Sequence, residues 1–436
     1  MQNQQWLERS RRSVWHPCTQ MKQHERLPIV PIERGEGAWL IDFDGQRYFD
    51  GVSSWWVNLF GHANPRMNAA ILDQMGKLEH VILAGFTQRP VVELSEKLAE
   101  LTGLGHAFYG SDGASATEIA LKMSFHYWQN VGRRDKTGFV SLQNSYHGET
   151  LGALSVTDVP LFSATYAPLL RTTHRVMSPD WRLAEQGESA EQYAHRAADA
   201  LEALFQREAD RLAAMIVEPL CQAATGMAMY HPVYLQRVRA LCDSYQVHLI
   251  ADEIAMGFGR TGTLFACEQA AIRPDFICLS KGITGGYLPL SAVLTRDEVY
   301  AAFYDDEVGR GFLHSHSYTG NALACRAALE VLAIFADDDV LAQNRRKADA
   351  CAPQFAAVAN HPRVRHARQL GMIWAFDVID AKPGFAGRWF EAALARGLLL
   401  RPVGNTVYVM PPYVASSAEL GQVFAALAQL LDSGLC

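Results

Sequence analysis

Between His106 and Thr295, six short β-rich runs alternate with stretches of helical periodicity, and that order limits the chain to very few architectures. The runs occupy 106–111 (HAFYGS), 138–143 (GFVSLQ), 213–219 (AAMIVEP), 247–254 (VHLIADEI), 275–280 (DFICLS) and 290–295 (LSAVLT). Strands separated by amphipathic helices predict an α/β fold, a mostly parallel sheet with helices on both faces. Helices are expected over 115–131 and over 232–245, where Leu235, Val238, Leu241, Cys242 and Tyr245 recur at the 3.6-residue period.

Outside that block the pattern changes. Residues 171–211 are polar, charged and Ala-rich, and read as a surface excursion. Residues 61–334 form a large domain on this reading, and 335–436 a smaller C-terminal α/β domain. The smaller domain has a helix, the strand MIWAFDVI, a helix through Arg396, and LLLRPVGNTVYVMPP with Gly404-Asn405 as a hairpin turn. The N-terminal segment 1–60 ends in GAWLIDFDGQRYFDG, a hairpin expected to pack beside it.

The chain has 436 residues, 49% hydrophobic and 19% charged, which is enough for a large core in a soluble globular protein. A net charge of -7 gives no reason to expect a nucleic-acid partner. Met1 to Arg12 contains no apolar segment of a secretory signal, and no window reaches the roughly 18 consecutive apolar residues of a membrane span. The simplest location is the cytoplasm. The eight cysteines (Cys18, Cys221, Cys242, Cys267, Cys278, Cys325, Cys351 and Cys436) include no C-x-x-C pair, so reduced thiols and no structural zinc are expected.

The chemistry gathers at strand ends. The run 247–254 delivers Asp252 to the carboxyl end of a strand, and the next strand delivers Lys281 to its own carboxyl end. Open α/β sheets bind ligands at that edge. A lysine amine and a carboxylate are what pyridoxal phosphate chemistry needs: one to carry the cofactor, the other to keep its ring nitrogen protonated. A buried Lys-Asp ion pair is the plainer alternative.

Gly113, Ala114 and Ser115 lead into a helix, with Ser115-x-x-Glu118 in the form of a capping box. Such a helix N-terminus is a ready phosphate site, though most capped helices bind nothing. Tyr146 and His147 follow a strand at the same edge, where an aromatic ring could stack on a planar cofactor. Ser317 and Thr319 precede a helix expected at 322–334 and offer a second phosphate contact. His314-x-His316 lacks a third ligand for a metal. Gly257 to Gly262 matches G-x-G-x-x-G, but five residues separate it from the strand and the expected acid is missing, so it reads as a turn rather than a dinucleotide site.

With these residues, and with VWHPCTQM, GVSSWWVNLFGH, MYHP and LRPVGNTVYVMPPY, the chain resembles the class III aminotransferases of the type I pyridoxal phosphate fold over nearly its whole length. Its motifs look closest to the members that make 7,8-diaminononanoate for biotin from 8-amino-7-oxononanoate, with S-adenosylmethionine as amino donor. The resemblance implies a homodimer. It implies that Lys281 carries the cofactor, Asp252 pairs with its ring nitrogen, and Tyr146 covers the ring beside His147. Gly113, Ala114 and Ser115 would bind the phosphate, with Ser317 arriving from the second subunit. Trp55 would line the substrate pocket, and Arg401 would receive a carboxylate. Taken as a strand, Trp55 and Trp56 would point to opposite faces, so at most one need meet substrate. Well-known members carry a tyrosine after Trp-His-Pro where this chain has Cys18, and a related variant takes lysine as donor. Another class III enzyme acting on an ω-amine, with the tryptophans as core packing, and a non-catalytic binding module are the competing readings. Retention of both Lys281 and Asp252 argues against the second of these.

Overall fold

The computed structural model describes residues 2–434; Met1 and Cys436, both part of the sequence reading, lie outside them. The chain divides into two compact units, residues 69–341 and residues 1–68 with 342–436. In the discontinuous unit, β1 (Ile32–Glu36), β2 (Trp39–Asp42) and β3 (Arg47–Asp50) form an antiparallel meander, with β2 and β3 as the hairpin at Gly45.

The large unit holds a seven-stranded sheet. Its strands are β4 (His106–Gly110), β5 (Gly138–Leu142), β6 (His174–Val176), β7 (Leu212–Val217), β10 (His248–Asp252), β11 (Phe276–Leu279) and β12 (Ser291–Thr295), and β8 (Cys221–Gln222) and β9 (Ala228–Met229) make a separate two-residue ribbon. The spatial order is β4-β12-β11-β10-β7-β5-β6, with β12 antiparallel to both neighbours and the other pairings parallel. Every residue of β7, β10, β11 and β12 is buried, as expected of central strands covered on both faces. The helix Gly113–Asn130 lays Ala116, Ile119, Ala120 and Met123 against Ile250, Cys278 and Val293 of that sheet. The expected helix at 232–245 runs Val233–Tyr245, with Leu235, Val238, Leu241 and Cys242 buried.

The polar stretch 171–211 contributes more than an excursion. It contains β6, an edge strand of the sheet, and the helix Ala190–Glu208, which buries Tyr193, Ala197, Leu201, Leu204 and Phe205. Gly257 to Gly262 is a succession of turns in which Gly259 N–H donates to Leu264 O and no helix opens.

The discontinuous unit continues with β13 (Val364–Leu370), β14 (Ile373–Val378), β15 (Leu398–Leu399) and β16 (Thr406–Val409). Gly404-Asn405 does make a tight turn, closed by reciprocal bonds of 2.9 Å between Val403 and Thr406. Its flanking strands do not pair as a hairpin, however. β15 joins β3 in parallel, while β16 joins β14, so the turn hands the chain from one sheet to another. Among the described residues no helix is long and apolar enough to cross a membrane.

Candidate active site

The candidate side chains fall into two sets, one in each unit. In the large unit, Asp252 is the last residue of β10 and pairs with Cys278 of β11; the chain then turns at Ser280 into the short 3-10 turn Lys281–Thr284. Lys281 itself has φ 45°, a left-handed conformation that a lysine adopts only where its surroundings impose it. Adjacent strand ends thus bring the amine and the carboxylate to one edge.

Both oxygens of Asp252 are held. Oδ1 accepts the N–H of Ile254 at 3.1 Å, and Oδ2 lies 2.7 Å from His147 Nδ1, which donates because a carboxylate only accepts. His147 is anchored in turn: its N–H donates to Thr157 Oγ1 and its carbonyl accepts from Thr117 Oγ1. Burial pushes the Lys281 amine below its ordinary pKa, while the negative charges of Asp252 and Glu218 pull the other way.

Glu218, one residue past β7, escaped the sequence reading. It is 4% exposed, and its carboxyl is pushed up to about 8, first by burial and then by the charge of Asp252. Its two oxygens accept the N–H groups of Tyr146 and Ala223, each at 3.0 Å, which pins the Tyr146-His147 loop to the end of β7. The Tyr146 ring packs on Phe162 and its hydroxyl donates to Glu149 at 2.9 Å.

The helix expected from Ser115 begins at Gly113, and its cap is Asp112 rather than Ser115. Asp112 Oδ1 accepts the Ser115 N–H at 2.9 Å and the Ser115 hydroxyl at 3.0 Å. Glu118, the expected partner of the capping box, serves a different segment, accepting from Thr150 Oγ1, Gly152 N and Ala153 N. The N–H groups of Gly113 and Ala114 have no acceptor among the described residues, as the first turn of a helix requires. This helix start abuts the strand-end residues. A Cβ on Gly113 would lie 3.0 Å from Ile254 Cγ2, and one on Gly148, at φ +125°, 2.6 Å from Ala114 Cβ.

Residues 113–116, 146–148, 252–254 and 278–281 therefore converge. They fit pyridoxal phosphate: an amine for its aldehyde, a fixed carboxylate for its ring nitrogen, an aromatic ring beside it, and open N–H groups at a helix N-terminus for its phosphate. Ser317 is exposed, its carbonyl accepting from His80 Nε2 at 2.8 Å. His314 and His316 bond to Lys122 and Ser111 respectively, and no group of three or more His, Cys, Asp or Glu could hold a metal ion among the described residues.

The second set lies in the discontinuous unit. Arg401 places its guanidinium 5.0 Å from the ring centroid of Trp55, a cation–π contact. Trp55 is 45% exposed, whereas Trp56 is 5% exposed and donates its Nε1–H to Tyr408 OH at 3.1 Å. The two rings do part, but not by strand alternation. Ser53, Ser54, Trp55 and Trp56 have φ of 50°, 47°, 71° and 72°, one turn of left-handed helix. Such a turn costs about 1–2 kcal/mol per L-residue. Cys18 is exposed.

The model of the class III aminotransferase family matches residues 20–431. A Helicobacter pylori protein named adenosylmethionine-8-amino-7-oxononanoate aminotransferase is 45% identical over 429 residues, 96% of each chain. The crystal structure of the Methanocaldococcus jannaschii protein of that name superposes with a TM-score of 0.92 at 33% identity, over 98% of this chain and 99% of that one. An amine transaminase from an uncultivated Pseudomonas species, solved in its PLP-bound form, superposes with a TM-score of 0.90 at 30% identity, over 95% and 97%. A strand-end lysine and carboxylate beside an open helix N-terminus, matched by the family model from residue 20 to 431, make this chain a class III aminotransferase.

Proposed function

We propose that the chain transfers an amino group to the 7-oxo group of 8-amino-7-oxononanoate, giving 7,8-diaminononanoate, with pyridoxal phosphate as cofactor and S-adenosylmethionine as donor in a ping-pong cycle. The observation that carries this reading is the 45% identity, over 96% of both chains, to a relative named for that reaction. The bound cofactor supplies an aldehyde that takes up the amino group and a conjugated ring that delocalises the electrons left at the substrate carbon.

The protein's side chains do the rest. Lys281 would hold the cofactor through its amine and, once freed from it, would serve as general base for the donor's α-proton and as the acid that returns it. Its lowered pKa keeps more of the amine neutral, the form a base requires. Asp252 keeps a proton on the pyridine nitrogen, with His147 and the Ile254 N–H fixing its carboxylate. The N–H groups of Gly113 and Ala114 would bind the phosphate, joined by the Ser115 hydroxyl once it turns from Asp112 and by Ser317 from a second copy of the chain. Tyr146 covers the ring. Trp55 forms an apolar wall for the aliphatic chain of the substrate, and Arg401 takes its carboxylate through paired N–H donors.

A homodimer in the cytoplasm belongs to the same reading. Tyr304, Val308, Leu313 and Tyr318, in the segment of chain that carries Ser317, are each exposed and are side chains that a second copy would cover, and the seven described cysteines are free thiols. The likeness in structure to amine and omega transaminases favours one alternative, another class III enzyme acting on an ω-amine, with the tryptophans as packing. The purified enzyme should be given 8-amino-7-oxononanoate with S-adenosylmethionine, lysine or a simple ω-amine, and 7,8-diaminononanoate measured by mass spectrometry. Product with S-adenosylmethionine supports the proposal; product only with lysine changes the donor, and no product with any donor refutes the substrate.

A further inference from the structure

Four consecutive non-glycine residues in the left-handed region are not held by their own preferences, and one of the groups bonded to them is the carboxylate of Asp50. This carboxylate is 0% exposed. Its Oδ1 accepts the Ser54 N–H at 2.8 Å, and its Oδ2 accepts both the Ser54 hydroxyl at 2.7 Å and His62 Nε2 at 3.0 Å. His62 is fixed from behind, since Asn58 Nδ2 lies 3.1 Å from its Nδ1 and Asn58 Oδ1 accepts the Gly61 N–H at 2.8 Å. Asn58 therefore donates its amide hydrogen to Nδ1, which leaves the imidazole hydrogen on Nε2, facing Asp50. The turn is also tied at its two ends: Ser53 Oγ donates to Met410 O at 2.7 Å, and Trp56 Nε1–H donates to Tyr408 OH.

We propose that Asp50, backed by His62 and Asn58, is a positioning residue that keeps the Ser53–Trp56 turn left-handed and so sets where Trp55 stands against Arg401. It rests on the reading of Trp55 and Arg401 as the substrate-contacting pair. Its consequence is for recognition of the keto acid rather than for the chemical step. Asp50 touches neither Trp55 nor Arg401 through a recorded hydrogen bond; it acts through the backbone of Ser54, which fixes the direction of the next side chain. Two aromatic residues adjacent in sequence are thereby split, one ring into the core and one outward.

The test is Asp50→Asn, which keeps the size but turns an amide NH2 towards one or more donors that the carboxylate satisfied. In the holoenzyme it should raise KM for 8-amino-7-oxononanoate about tenfold and leave kcat within about twofold, the signature of lost substrate positioning. Ser54→Gly is then added to the Asp50→Asn protein. Glycine adopts positive φ without penalty, so it should return KM to within about threefold of wild type if the clamp serves only to hold the turn. Unchanged KM in Asp50→Asn, or a raised KM that glycine does not lower, would overturn the proposal. His62→Gln, which leaves Asp50 in place, gives a second variant should Asp50→Asn not fold; it should raise KM about threefold, and no rise would count against the clamp.

Crystal structures of the variants separate this inference from the function it rests on. Loss of positive φ at Ser54 and Trp55 in Asp50→Asn, regained in the double variant, supports the clamp even if 8-amino-7-oxononanoate is not the substrate. A turn that stays left-handed in Asp50→Asn refutes it whatever the substrate.

Discussion

Replacing Asp252 by Asn removes one negative charge from the site while leaving its shape. The Oδ1 bond from the Ile254 N–H can persist, because that donor belongs to a backbone held at 3.1 Å. The new amide nitrogen then faces His147 Nδ1, now 2.7 Å from Oδ2, and the imidazole must move its hydrogen to Nε2 in order to accept. His147 Nε2, a buried atom without a partner among the described residues, would change from unsatisfied acceptor to unsatisfied donor while the charge-assisted bond to Asp252 becomes a neutral one, together at a cost of about 1–3 kcal/mol. The protein should therefore still fold, with a modestly lowered midpoint in urea. Activity should suffer far more. Removing one preorganised electrostatic contact at a reacting centre, on the scale of a lost oxyanion-hole donor, lowers kcat by about 10²–10³-fold, or roughly 2.7–4 kcal/mol in the barrier. The assay is kcat on protein whose visible cofactor absorption shows the cofactor still bound. Asp252→Asn protein with bound cofactor and a kcat within tenfold of wild type would refute the role given to this carboxylate.

Arg401→Ala should raise KM for the keto acid by about 10–100-fold, the worth of a charge-assisted hydrogen bond, and Arg401→Lys should fall between because it lacks the paired donors; steady-state kinetics on both substrates checks this, and no change would dismiss the carboxylate role. Glu218 binds its proton more tightly folded, at about 8, than at its ordinary 4.5, so its contribution to stability is full below about pH 4.5 and is lost as pH rises through about 8. Glu218→Gln should flatten that fall, and should also lower stability by about 1–3 kcal/mol because its amide cannot accept from both Tyr146 and Ala223; urea denaturation across that range measures both effects.

The sheet was readable because its central strands are short runs buried throughout, such as Leu212–Val217 and Phe276–Leu279, which no helix face or solvent-exposed strand would produce. Edge strand β6 was not, since three residues reading His-Arg-Val carry no such signal. Lys281 and Asp252 could be found by position alone, each at the carboxyl end of an apolar run. The helix cap was misassigned because SDGASATE contains two equally good patterns three residues apart, Asp112 with Ser115 and Ser115 with Glu118; the choice depends on Thr150, Gly152 and Ala153, which claim Glu118 from the start of the helix Leu151–Val156. Glu218 went unnoticed for a related reason, as its partner Tyr146 lies 72 residues earlier. The left-handed turn at Ser53–Trp56 has no local signature either. Neither glycine nor asparagine marks it, and its support comes from Asp50 and His62 on one side and from Tyr408 and Met410, more than 350 residues away, on the other. Backbone held by distant side chains is the information that periodicity and spacing do not contain.

The central claim is an amine exchange at Lys281 with S-adenosylmethionine as donor, and it can be tested without the second substrate. S-Adenosylmethionine alone is added to the purified holoenzyme while its visible spectrum is recorded, with lysine added to a separate sample. Loss of the lysine-bound cofactor band with S-adenosylmethionine, and its persistence with lysine, is the predicted result. A band unmoved by S-adenosylmethionine but bleached by lysine would contradict the donor, and a purified protein with no such band would contradict the cofactor assignment itself.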